Sequence, residues 1–141
     1  QAFDLVVSNP PSRATHAGSI SPNDERAKAR HETTCCIGKL AEAVRYLLKP
    51  GGSAKIVYPT SRIPDLFRAF SPHEIEPRLV RHVYARADQS AKLTLIELKH
   101  GHSPHLDVPP PLILHDASGR WSPEVAAMLG NTEDPPLSGC V

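Results

Sequence analysis

Phe3 to Ser8 (FDLVVS) is a short, nearly continuous apolar run that stops at Asn9-Pro10-Pro11. A run of this length, ended by residues that cannot continue a ladder, predicts a buried parallel strand. From Ser12 to Glu32 the chain is small and polar and offers no core face. A connection that long in a compact domain is commonly functional. Ile37, Leu40, Ala41, Val44, Leu47 and Leu48 then recur at steps of three and four. They predict a helix with Thr33 or Thr34 as N-cap and Pro50-Gly51-Gly52 as the stop.

Ala54 to Tyr58 (AKIVY) predicts a second strand, ended by Pro59. Ser61 is the expected cap of a second helix, with Ile63, Leu66, Phe67 and Phe70 on one face and Pro64 in the first turn, where a missing N–H costs little. The helix should end near Ser71-Pro72. Arg78 to Ala85 and Lys92 to Leu98 read as two strands joined by a connection short enough for a hairpin. The order β-α-β-α-β-β implies right-handed crossovers and a parallel sheet, with an antiparallel strand at or near one edge. After His100-Gly101 a Pro-rich linker leads to Leu112–His115, a turn at Asp116–Gly119, and a short helix from Pro123 to Leu129 capped by Ser122. No internal repeat is present.

Composition narrows the classes. The 141 residues suffice for one ordinary domain. No apolar run approaches the roughly 20 residues that span a bilayer. Sixteen Lys and Arg against fifteen Asp and Glu leave a net charge of +1, so any nucleic-acid partner must meet a local basic patch. Cys35 and Cys36 are adjacent, which is poor geometry for pairing with each other, and free thiols suit a cytoplasmic setting. Gln1-Ala2-Phe3 runs into the first strand with no starting Met and no signal pattern, and reads as an interior cut.

The candidate for chemistry is Asn9-Pro10-Pro11, a tripeptide that could also merely end the strand. In open α/β sheets ligands sit outside the carboxyl ends of the strands, and this tripeptide directly follows such an end. An exocyclic amine on adenine is a poor nucleophile because its lone pair is delocalised into the ring. The Asn9 side-chain oxygen and the Pro10 carbonyl can both accept that amine's hydrogens and hold its nitrogen for in-line attack on a methyl sulfonium. Pro11 fixes the backbone so that the carbonyl turns into the site.

FDLVVSNPP, Arg30-His31-Glu32, YLLKPGG, LTLIELKHG and PPLILHDASGRWSPEV, in this order, resemble the bacterial methyltransferases that modify adenine N6 beside the anticodon of valine tRNA. The resemblance covers nearly the whole chain. It implies an α/β fold, the C-terminal part of a Rossmann-like methyltransferase sheet with its first strands missing, mainly parallel with an antiparallel hairpin at the edge. Residues 1–100 would be that sheet and residues 101–141 a Pro-rich linker with a C-terminal hairpin and helix. It implies tRNA as partner and S-adenosyl-L-methionine as cofactor, bound mainly by a Gly-rich segment expected upstream of residue 1. Asn9 and Pro10 take the catalytic role, with Pro11, Ser12, Arg30 and His31 on the substrate side.

Two departures from the family pattern stand out. Ser12 occupies the position of an aromatic residue that stacks on the flipped base, losing a contact of roughly 1–3 kcal/mol. Gly51-Gly52 closes a helix and is no substitute for a cofactor-cradling turn. This chain alone is therefore expected to be inactive. The alternatives are a non-catalytic remnant that binds RNA or protein, or an enzyme of the same motif acting on protein glutamine, DNA adenine or guanine.

Other residues carry plainer expectations. Asp4 lies about 16 Å from Asn9 along a strand and reads as a surface residue. Arg26, Lys28, Arg30 and His31, and Arg78, Arg81, His82 and Arg86, are two basic sets able to meet phosphate or simply to face solvent. His100, His102 and His105 lack the partners of a metal site, and no metal is expected. Cys35 and Cys36 read as packing residues, and Trp121 as packing for the C-terminal hairpin.

Overall fold

The structure, a computed structural model, describes residues 2–10, 36–102 and 104–130. Strand β1 spans Phe3–Ser8, and residues 36–47 are helical (α1). They are followed by β2 (Leu48–Pro59), a 3-10 turn (Thr60–Arg62), α2 (Ile63–Phe70), β3 (Ile75–Tyr84) and β4 (Leu93–His100). The tail adds β5 (Leu112–Ile113) and α3 (Pro123–Met128). The strands form one sheet in the order β1-β2-β4-β3-β5. β1 and β2 run parallel, as do β3 and β5, whereas β4 is antiparallel to both neighbours. The expected hairpin thus lies on the side away from β1, with the short β5 outside it.

Alternation along β4 sorts the two faces of the sheet. Thr94, Ile96, Leu98 and His100 are buried on one face. That face carries the main core, in which Ile37, Ala41, Val44 and Leu48 meet Ala54, Ile56 and Tyr58 of β2 and Leu66 and Phe70 of α2. Helix α2 forms as its apolar spacing requires: Leu66 and Phe70 are fully buried, and Ile63 and Phe67 pack beside them. On the opposite face Val83, Leu112 and Val125 make a second, smaller core with Leu95, Leu114 and Trp121. It reaches only the β3–β5 side. Toward β1 the same face is open, and Phe3, Leu5 and Val7 are exposed, Val7 by 71%.

Strand β1 is therefore parallel as predicted but not buried. Only Val6, in register with Ala54, packs onto the main core. β2 begins at Leu48, six residues before the predicted start at Ala54, so Pro50-Gly51-Gly52 lies inside the strand instead of stopping the helix. The pairing with β1 jumps from Phe3↔Leu48 to Leu5↔Ser53, and the extra residues bulge. Gly51 takes φ 79°, and a Cβ on Gly52 would sit 3.0 Å from the Lys49 carbonyl oxygen and 3.2 Å from that of Asp4. Gly51 is required by its positive φ and Gly52 by the close backbone approach, both at the amino end of β2, remote from Asn9.

Ser61 does not cap α2, because the 3-10 turn places Arg62 at the N-cap without a side-chain bond. Asp65 in the first turn supplies the negative charge that a helix start favours and pairs with Arg62 and Arg68. Ser122 caps α3 as expected, its Oγ accepting the Val125 N–H. The Pro-rich linker docks along β3: Val80 N–H donates to the Asp107 carbonyl and Asp107 N–H to that of Arg78, each at 2.9 Å. β3 is accordingly no edge strand. Among the described residues no helix is long and apolar enough to cross a membrane.

Candidate active site

The carboxyl ends of β1 and β2 lie side by side, with Ser8 in register with Ile56. Two residues further along each strand stand Pro10 and Tyr58. The first turns of the described part of α1 lie over these ends, because Ile37 is held in the core. The space between is a cavity of about 370 Å³ lined by Ser8, Asn9, Pro10, Cys36, Ile37, Lys39, Leu40 and Tyr58. Its volume falls in the range of small-molecule sites, and its walls mix apolar side chains with a few polar groups.

Asn9 is exposed at the mouth and Pro10 half-buried. Both belong to one wall, as the strand-end argument requires. Pro11, Ser12, Arg30 and His31 lie outside the described residues, as do Arg26, Lys28 and Cys35. Cys36, read as a packing residue, is instead an exposed free thiol at the rim. The reason is registry: Ile37, Ala41 and Val44 take the core-facing positions of α1, and Cys36 falls beside that stripe.

Tyr58 is the residue that sequence reasoning passed over. It is 1% exposed, its hydroxyl is buried without a hydrogen-bond partner among the described residues, and it lines the cavity with Asn9. Burial pushes its phenol above the ordinary value of 10.0; nearby Arg62 opposes that shift, and Asp65 and Cys36 add to it. Its position at the carboxyl end of the strand beside β1 was the available signal.

The second basic set is largely engaged within the chain. Arg78 donates to Asp107 at 2.6 Å, Arg81 to Glu124 at 2.7 and 2.9 Å, and Arg86 to the Ala117 carbonyl at 2.9 Å. His82 Nδ1 lies 2.9 Å from the hydroxyl of the buried Thr94, which also meets Thr60 at 2.9 Å. His100 Nδ1 donates to the Lys49 carbonyl at 3.0 Å, and His102 pairs with Glu76. Asp4 pairs with Lys49 at 3.0 Å on the surface. Trp121 stacks on His115 with ring centroids 4.5 Å apart and packs into the second core.

No protein-family model matches the chain. Curated proteins do. The chain is 33% identical over 131 residues to the tRNA1(Val) (adenine(37)-N6)-methyltransferase of Porphyromonas gingivalis, covering 88% of this chain and 49% of that protein. The proteins of the same name from Shewanella pealeana and Bacteroides thetaiotaomicron are 27% and 33% identical, over 82% and 67% of this chain and 46% and 39% of theirs. The chain spans about half the length of the curated relatives it matches. Among solved structures, one described as a predicted O-methyltransferase from Agrobacterium tumefaciens superposes with a TM-score of 0.68 at 15% identity, over 94% of this chain and 53% of that one. Another, described as a putative class I S-adenosylmethionine-dependent methyltransferase from Listeria monocytogenes, gives a TM-score of 0.52 at 16% identity, over 92% and 41% of the two chains. The sheet has the methyltransferase fold, and the sequence is homologous to methyltransferases.

Proposed function

We propose that this chain supplies the amine-holding part of an S-adenosylmethionine-dependent methyltransferase that modifies the exocyclic N6 of adenine in tRNA. The observation that carries the reading is the placement of Asn9 and Pro10: together, at the end of β1, on one wall of a cavity of about 370 Å³. In this arrangement the Asn9 carboxamide oxygen and the Pro10 carbonyl accept the two amine hydrogens and orient the nitrogen lone pair outward. Ile37 and Leu40 give the planar ring an apolar wall.

S-adenosylmethionine supplies an electrophilic methyl group. The described residues fit the acceptor side of that reaction. Their Gly51-Gly52 pair belongs to the β1–β2 approach at the far end of the sheet and is no cofactor cradle. The proposal therefore assigns Asn9 and Pro10 to the amine, with Pro11 shaping the turn and Ser12, Arg30 and His31 on the RNA side. Ser12, in place of an aromatic residue, favours a second reading in which the chain binds RNA without transferring a methyl group.

Paired titrations of adenosine and inosine into the chain test the amine contact, because inosine carries an oxygen in place of the exocyclic amine. Adenosine should bind about tenfold more tightly, the equivalent of about 1.4 kcal/mol, and Asn9→Ala should remove that preference. Equal binding of the two nucleosides would overturn the assignment. Methyl transfer from S-adenosylmethionine to an anticodon stem-loop of valine tRNA separates the enzyme from the RNA-binding reading.

A further inference from the structure

Ala54, Ile56 and Tyr58 alternate along β2 onto the face of the sheet that carries α1. Ser8 pairs in register with Ile56, so Tyr58 and Pro10 follow side by side at the carboxyl edge. The cavity with Asn9 and Pro10 in its wall is lined by Tyr58 from the sheet and by Ile37 and Leu40 from α1. The Tyr58 side chain is 1% exposed, and its hydroxyl is buried there without a partner among the described residues. A Phe ring would fill the same space without a desolvated hydroxyl. The oxygen is therefore a cost to the free fold, and a buried polar atom of this kind calls for a use.

A phenol offers both a donor and acceptor lone pairs, and burial holds this one protonated. Which of the two a ligand meets follows from the other groups in the cavity. With the amine hydrogens accepted by the Asn9 carboxamide oxygen and the Pro10 carbonyl, an adenine has no N–H left for Tyr58 to accept. The ring nitrogens N1 and N7, on either side of that amine, are both acceptors. The hydroxyl is thus left to donate.

We propose that the Tyr58 hydroxyl donates to the ring nitrogen N1 or N7 of the base in the Asn9 cavity, and so determines specificity for a base that carries an acceptor next to its amine. This rests on the reading of Asn9 as the amine contact and adds to it a second atom by which the base is recognised.

Calorimetry on the full chain compares adenosine with 1-deazaadenosine and 7-deazaadenosine, which keep the amine and each lack one of the two ring nitrogens. The parent should bind one analogue about tenfold more weakly than adenosine and the other equally well. The weaker analogue identifies the nitrogen. Tyr58→Phe, with its fold checked by circular dichroism and its unfolding midpoint at or above that of the parent, should bind adenosine as weakly as the parent binds that analogue. The substitution should cost the analogue nothing further. Full affinity of the parent for both analogues, adenosine binding unchanged by Tyr58→Phe, an equal loss for all three nucleosides, a clearly destabilised variant, or no binding of adenosine overturns the contact. Asn9→Ala keeps the two ideas apart. A preference for adenosine over inosine that ignores this substitution sinks the amine reading, whereas a loss for one deaza analogue that depends on Tyr58 leaves the ring contact standing.

Discussion

Arg81 of β3 grips Glu124 of α3 through both carboxylate oxygens, at 2.7 and 2.9 Å, while its Nε donates to the Pro110 carbonyl at 2.9 Å. One guanidinium thus ties the sheet to the linker and to the last helix. The Arg81 side chain is only 20% exposed, so the pair is less screened than an ordinary surface bridge.

Replacing Arg81 with Met, which keeps the stem and removes the fork, should cost about 1 kcal/mol. The loss should be local. Amide hydrogen exchange in Pro123–Met128 is expected to accelerate while that of β2 and β4 stays unchanged. Uniform acceleration across the sheet would mean that the tail is an inseparable part of the core.

Tyr58→Phe should be neutral or stabilising in the ligand-free chain. The substitution keeps the buried ring and removes a hydroxyl without a partner among the described residues, whose desolvation penalty is about 1 kcal/mol or more. Urea unfolding is expected to show a midpoint at or above that of the parent. The raised phenol pKa has its own sign. Stability contributed by the neutral phenol is complete below the unfolded value near 10.0 and is lost as pH rises from there toward the folded value. Tyr58→Phe should therefore reduce the alkaline loss of stability. A clear destabilisation at neutral pH would show that the hydroxyl is satisfied in the free protein.

Much of this architecture was legible from spacing alone. The apolar steps through α1 and α2 and the alternation in β4 each have one dominant burial solution, and those elements appear close to where the pattern puts them, whereas β3 begins at Ile75, three residues before the predicted Arg78, and carries a register shift between Pro77 and Leu79. Asn9-Pro10 drew attention because it directly follows an apolar strand, and the structure places both residues on the lining of one cavity. Three features were not legible. The bulge that starts β2 at Leu48 depends on the partner backbone of β1, and Gly51-Gly52 serves a helix stop and a close strand approach equally well. The shielding of β3 by residues 104–111 comes from backbone hydrogen bonds, which composition does not encode. Tyr58 looked like an ordinary strand aromatic, since the burial of its hydroxyl at the cavity, without a partner among the described residues, exists only once β2 and α1 are folded together.

Asp116 gives a pH-dependent prediction in the tail. The Ser118 hydroxyl donates to its carboxylate at 2.6 Å, and the Ser118 and Arg120 amides at 2.8 and 3.1 Å, so its pKa is held below the ordinary 3.8. A depressed carboxylate contributes stability that is present above the unfolded pKa and is lost as pH falls through the folded one. The 116–120 turn should therefore persist below pH 3.8 and open under stronger acid. Ser118→Ala removes the largest of these contributions and should move the midpoint upward, read by NMR titration of the Asp116 carboxyl carbon. An unmoved midpoint would assign the depression to the backbone amides alone.

Phe3, Leu5 and Val7 share the open face of β1, and this face continues into a shallow cavity of about 380 Å³ whose lining includes Val7, Val57, Leu79 and Leu95. Apolar residues in a row on an end strand of the sheet favour association. The chain on its own should self-associate reversibly, with a sedimentation coefficient that rises with concentration. Val7 already stands in solvent, so Val7→Lys should leave the unfolding midpoint within about 0.5 kcal/mol of the parent. It should also shift the equilibrium toward monomer by placing charge on the contact. The same substitution at Val6, which packs against the main core and pairs in register with Ala54, should destabilise the fold instead. A Val7→Lys chain that associates as strongly as the parent would place the contact elsewhere than on this face, because the neighbouring Lys55 and the added Lys would then repel across any interface built on it.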